Sequence, residues 1–145
     1  IPKAEVVNAE LADVPEAAML RYKKAMELAA ASDHKGAIEE LKLAIVAHPK
    51  FAAAYNDMGV QYLRLKDLGR ADDAFLSAMN IDSGAFAPLL NHGMILFDIK
   101  RYDKAEPVFR DALKEITPRM NAASFQRILS SAYPAPAPLK VTVRK

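Results

Sequence analysis

Asp72 and Asp73 stand together in the stretch YNDMGVQYLRLKDLGRADDAFLSA, residues 55–78, with Tyr55, Tyr62, Gly59 and Gly69 close by in the chain. Two carboxylates beside tyrosines and a flexible turn are the raw material of general acid–base chemistry, in which one carboxyl gives a proton and the other takes one. The spacing argues against that reading. Apolar residues recur here at helical intervals, and neighbouring residues of a helix do not face each other, so the two acids cannot converge on one atom. Placed at the start of a helix, they would complement its dipole, and that is the role expected of them. The remaining chemistry-bearing residues are sparse. His34, His48 and His92 fall on a turn, a helix end and a helix interior, at separations that suit no shared metal ion. His92 is expected to be a buried or half-buried structural residue. With no cysteine there is no thiolate catalysis, disulfide or cysteine-bound metal, and no glycine-rich phosphate loop occurs. No nucleophile has a plausible base, so the chain is expected to be non-catalytic and to need no cofactor or metal.

The elements that hold these residues repeat. Small side chains return every 34 residues, as Ala25, Gly59 and Gly93, then Ala37, Ala71 and Ala105, then Ala44, Ala78 and Ala112. Larger apolar residues keep the same step, with Leu28, Tyr62 and Leu96 in one column and Leu41, Phe75 and Phe109 in another. Each row holds two helical segments separated by a polar turn, ASDHKG, LKDLGR or DIKRYD, and so reads as a helical hairpin. The expected helices span about 15–31, 35–48, 53–66, 69–81, 86–99 and 103–116. Pro15, Pro88 and Pro107 are expected in first turns, where a missing N–H costs nothing, and Pro49 and Pro118 at hand-overs between hairpins. Two helices can approach to about 8–10 Å only where small residues line the crossing, and a lone hairpin cannot bury its apolar face, so the hairpins must stack.

This pattern resembles the tetratricopeptide repeat, whose 34-residue helix–turn–helix unit keeps small residues at matching positions. The resemblance covers residues 18 to about 118, with Tyr55, Leu89 and Pro49 also in their family places. It departs at Arg21, where the family has an aromatic residue, and at Ser83, where it has a proline. The resemblance implies an all-α, right-handed solenoid: a first repeat over 15–51, a second over 52–85 and a third over 86–118. Around these lie an arm or linker over 1–14, a capping helix over 119–133 and a Pro/Ala-rich basic tail over 134–145. The stretch PRMNAASFQRILSSAY, residues 118–133, is amphipathic and fits the cap.

Function follows from the same resemblance. The first helix of each hairpin lines a concave groove, which maps here onto Met19, Tyr22, Lys23 and Met26, then Asn56, Asp57, Val60, Leu63 and Arg64, then Leu90, Asn91, Met94 and Phe97. Such a groove is more apolar than charged and suits a peptide, a helix or a partner domain, with the asparagines available to hold a ligand's backbone, or else is filled by the chain's own capping helix or arms. The expectation is a protein-interaction scaffold or adaptor. Two alternatives are self-association, by groove or arm exchange, and a regulatory module of a larger protein. One sub-family grips the C-terminal carboxylate of heat-shock chaperones through lysines and asparagines. At those positions this chain has Tyr22, Met26, Asp57, Ala87 and Asn91, and Asp57 would repel a carboxylate, so chaperone tails are not expected partners.

Charge bears on the other partner classes. The 145 residues carry 20 basic and 18 acidic side chains, a formal +2, but Lys140, Arg144 and Lys145 sit in the tail. The body is then near neutral and lacks the basic face that phosphate backbones demand, so nucleic acid is not an expected partner. No apolar run approaches the roughly 18 residues a membrane span needs, so insertion is not expected. The chain opens on Ile1, which suggests a processed piece of a longer protein and leaves its compartment open.

Overall fold

The computed structural model describes residue 11 and residues 13–116. Among the described residues there are six helices and no strand: α1 (Glu16–Ala30), α2 (His34–Ala47), α3 (Ala52–Arg64), α4 (Leu68–Ile81), α5 (Phe86–Asp98) and α6 (Tyr102–Ile116). They follow the expected spans to within a residue or two. The capping helix over 119–133 and the tail over 134–145 lie outside the described residues, as does most of the arm over 1–14. Leu11 and Val14, at the near end of that arm, pack against the first core cluster.

Each hairpin is closed by the same device, set 34 residues apart. Ser32, Lys66 and Lys100 take a left-handed backbone, with φ of 62°, 61° and 61°. The next N–H then reaches back to the helix it has left: Asp33 N–H to the Leu28 carbonyl at 2.9 Å, Asp67 to Tyr62 at 2.9 Å and Arg101 to Leu96 at 2.8 Å. This pattern satisfies the open carbonyls of a helix C-terminus and is usually built on glycine. In the first two hairpins the following residue also starts the return helix. The Asp33 carboxylate accepts from the Gly36 N–H at 2.9 Å, and Asp67 accepts from the Arg70 N–H at 3.1 Å. The third hairpin has Arg101 in that place.

Within a hairpin the small-residue columns bring the helices together. Ala18, Ala25, Leu41, Ala44, Phe51 and Ala54 form one cluster, and Ile38, Tyr62, Ala71, Phe75 and Ile95 form another that joins residues of all three hairpins. Gly59 lies against the buried Phe75 ring, where an added Cβ would come within 2.5 Å of Cε1. Gly93 repeats the arrangement against Phe109 at 2.8 Å. Helices pack chiefly on their neighbours in the chain, which is the quasi-one-dimensional order of a stacked solenoid.

Two expectations need correction. Asp72 and Asp73 do not lie in the first turn of α4: the helix starts at Leu68, and Asp67 caps it. The acids come a full turn later, too far in for a strong effect of the dipole. Pro107 does not lie in the first turn of α6 but is its sixth residue. There it removes a backbone hydrogen bond, and the helix continues through it because Ala105 and Ala112 on either side are buried.

Candidate functional site

The first helices of the three hairpins stand side by side and are tied by polar contacts across their shared face. The Tyr22 hydroxyl on α1 donates to the Asp57 carboxylate on α3. One residue earlier on α3, Asn56 accepts at 3.2 Å from the side-chain amide of Asn91 on α5. Both contacts join residues 35 apart, one more than the repeat, so each links successive hairpins in the same register. Burial is the main influence on Asp57 and raises its carboxyl above the 3.8 of a free aspartate, while the bonds from Tyr22 and Asn56 act to lower it.

A cleft of about 730 Å³ opens beside these contacts. Tyr22, Asn56 and Asp57 supply one wall from the helices. Much of the rest comes from the two links between hairpins: His48, Lys50 and Phe51 from the link between α2 and α3, and Asp82, Gly84 and Ala85 from the link between α4 and α5, flanked by Ile81 at the end of α4 and by Phe86, Ala87 and Pro88 at the start of α5. Phe51 is 2% exposed and anchors this end of the molecule. Its ring centroid lies 5.0 Å from that of Tyr22 and 5.7 Å from that of His48. The Asp82 carboxylate accepts from the Gly84 N–H at 3.0 Å, which holds the second link in shape.

The structure therefore brings together only part of the expected groove. Tyr22, Asn56 and Asp57 share the cleft, and Asn91 joins them through Asn56. Met26, Val60 and Leu63 are half-buried and packed against the core clusters, so they serve packing as well as the groove face. Met19 and Leu90 are also half-buried, whereas Lys23 and Arg64 are exposed. Met94 and Phe97 are exposed on α5, with the Phe97 ring edge-on to Tyr102 at 5.2 Å. His48, Lys50, Phe51, Asp82 and Phe86 were not anticipated. They sit in or next to the links between hairpins, which periodicity treats as punctuation. A usable signal was present in Phe51, a large aromatic residue where the next link has Ala85.

His92, His34 and Glu40 have structural partners. His92 Nδ1 meets the Asp72 carboxylate across the packing of α4 on α5, which accounts for Asp72, and the expected half-buried placement of His92 is what is found. His34 Nδ1 lies 2.8 Å from the Gln61 side-chain oxygen, the partner of a side chain only 7% exposed. Glu40 receives Arg21 at 3.1 Å and Lys24 at 3.0 Å, and Lys24 above all holds its carboxyl below the usual range. Among the described residues no three His, Cys, Asp or Glu side chains gather as metal ligands would, and no helix is long and apolar enough to cross a membrane.

Comparison with known proteins bears on the fold and the family. The family model described as tetratricopeptide repeat matches residues 88–115. A curated relative, a lipoprotein NlpI homolog of Haemophilus influenzae, is 34% identical over 70 residues, which is 48% of this chain and 22% of its own length. The chain thus spans well under two thirds of that relative. Among solved structures, the TPR2B domain of yeast Sti1 in complex with an Hsp70 peptide is similar with a TM-score of 0.71 and 18% identity, over 79% of this chain and 91% of that one. The TPR domain of Arabidopsis OM64 is similar with a TM-score of 0.67 and 23% identity, over 81% and 98%. At such identities the likeness speaks for the fold.

Proposed function

We propose that this chain, whose fold is that of tetratricopeptide-repeat domains, works as a non-catalytic interaction module, holding a peptide or helical segment of a partner protein along the face formed by α1, α3 and α5. The observation that carries this reading is the cleft between the inter-hairpin links, with Tyr22, Asn56 and Asp57 on its wall and the amide of Asn91 held against Asn56. Met94 and Phe97, 41% and 42% exposed, carry the apolar character of the first-helix face further along α5. The similar yeast domain in complex with an Hsp70 peptide supports this use of the fold. Asp57 argues against a chaperone tail here, because a half-buried carboxylate at the centre of the face repels a terminal carboxylate.

Panning a displayed peptide library against the chain, then mapping a selected peptide by NMR, tests the reading. Shifts are expected on α1, α3 and α5, and Met94→Ser with Phe97→Ser should weaken binding about tenfold, the loss of one or two buried apolar contacts, with helicity unchanged. A footprint confined to α2 and α4 would overturn it. Self-association is the second reading, favoured by the exposed Leu65, Ile99 and Tyr102 at the turn ends of the second and third hairpins. Light scattering from micromolar to millimolar chain separates the two, since a strict monomer removes the second.

A further inference from the structure

The cleft has a chemistry of its own, more specific than an apolar groove. Two carboxylates, Asp57 and Asp82, lie on its wall, and neither is within ion-pairing distance of a cation among the described residues. Among the described residues Asp57 has neutral donors only, the Tyr22 hydroxyl and the Asn56 amide. Asp82 has the Gly84 N–H. Four rings, those of Tyr22, His48, Phe51 and Phe86, line the same space. Lys50 is the opposing charge in the lining; it is exposed and forms no ion pair with either acid.

A half-buried carboxylate without a counter-charge is costly, and a cation entering beside it recovers part of that cost through charge-assisted hydrogen bonds. Aromatic faces attract the same kind of group, and most strongly where water is excluded. We propose that this cleft receives the basic side chain of a lysine or arginine from an extended peptide, with Asp57 and Asp82 as its anionic partners and the aromatic rings as its walls. The proposal rests on the groove reading and adds the chemical class of the ligand.

The test is an NMR titration of the chain with three capped hexapeptides, acetyl-Ala-Leu-Ala-X-Leu-Ala-amide, where X is arginine, glutamine or glutamate. The arginine peptide is expected to shift amides around Asn56, Asp57, Ala85 and Ala87, and to bind about tenfold or more tightly than the glutamine peptide, the worth of one hydrogen bond to a charged group. The glutamate peptide should bind weakest, and added salt should weaken only the arginine peptide. Asp57→Asn, which keeps an acceptor for Tyr22, and Asp82→Asn should each abolish the arginine preference while the circular dichroism spectrum is unchanged. Equal binding of all three peptides at the cleft overturns the proposal and leaves the groove reading standing. Shifts on α2 and α4 instead overturn both. No shift with any peptide at millimolar concentration overturns the proposal, and the library selection then decides the groove reading by itself.

Discussion

At the scale of single residues, two carboxylates respond to pH in opposite directions. Burial raises the Asp57 carboxyl above the 3.8 of an unfolded aspartate, so its protonated form favours the folded state. That contribution is complete below 3.8 and is lost as pH rises through the higher folded value. Asp57→Asn lacks the titration. Urea unfolding is therefore expected to show the variant gaining on the wild type between pH 3 and pH 7. Glu40 behaves in the reverse sense, because Lys24 and Arg21 lower its carboxyl below 4.5. Its contribution is present above 4.5 and disappears as pH falls through the lowered value, and Glu40→Gln should remove that dependence.

At the scale of elements, the three hairpins solve the same packing problem with two kinds of side-chain pair. The column of Ala25, Gly59 and Gly93 faces that of Leu41, Phe75 and Phe109, so alanine goes with leucine and glycine with phenylalanine. Gly59→Ala gains about 1 kcal/mol of helix propensity but drives a methyl into the Phe75 ring, with a net loss expected of about 1–2 kcal/mol. Adding Phe75→Leu recreates the pairing of the first hairpin. The double variant should then be more stable than the two single losses predict by about 0.5 kcal/mol or more, read from a urea double-mutant cycle. The turns offer a second comparison. Asp33 and Asp67 cap α2 and α4, while Arg101 occupies the same step before α6. Arg101→Asp is expected to stabilise by about 0.5–1 kcal/mol. At the left-handed positions, Lys66→Gly and Lys100→Gly should each stabilise by a few tenths to about 1 kcal/mol, the relief of the side-chain strain less the entropy glycine adds to the unfolded chain. Thermal melts of the three variants check both statements.

At the scale of the whole molecule, stability comes from interfaces between successive elements, so damage at one junction is expected to stay local. Phe51 fills the junction of the first hairpin with α3 and is 2% exposed. Phe51→Ala should cost about 3–5 kcal/mol. In hydrogen exchange, protection should fall first in α1 and α2, while α4 and α5 keep theirs through the cluster of Tyr62, Phe75 and Ile95. Loss of protection spread evenly over all six helices would contradict a nearest-neighbour solenoid.

The amino-acid sequence by itself determined the hairpins, their helices and the identity of the packed columns, because a 34-residue step imposes the same local physics three times over. The roles of Gly59, Ala71 and Ala78 at close contacts could be read directly from that recurrence. Tyr22, Asn56, Asp57 and Asn91 were also legible as residues of one face, since they share register positions on first helices. What they touch was decided only by the tertiary structure. Stacking sets the twist that brings Tyr22 to Asp57 and Asn91 to Asn56, and Asp72, read locally as a dipole acid, finds His92 on the following hairpin instead. The cleft likewise depends on two links 34 residues apart coming to lie side by side. His48, Phe51, Asp82 and Phe86 have no periodic signature, because their meeting is a property of the stack and not of any one repeat.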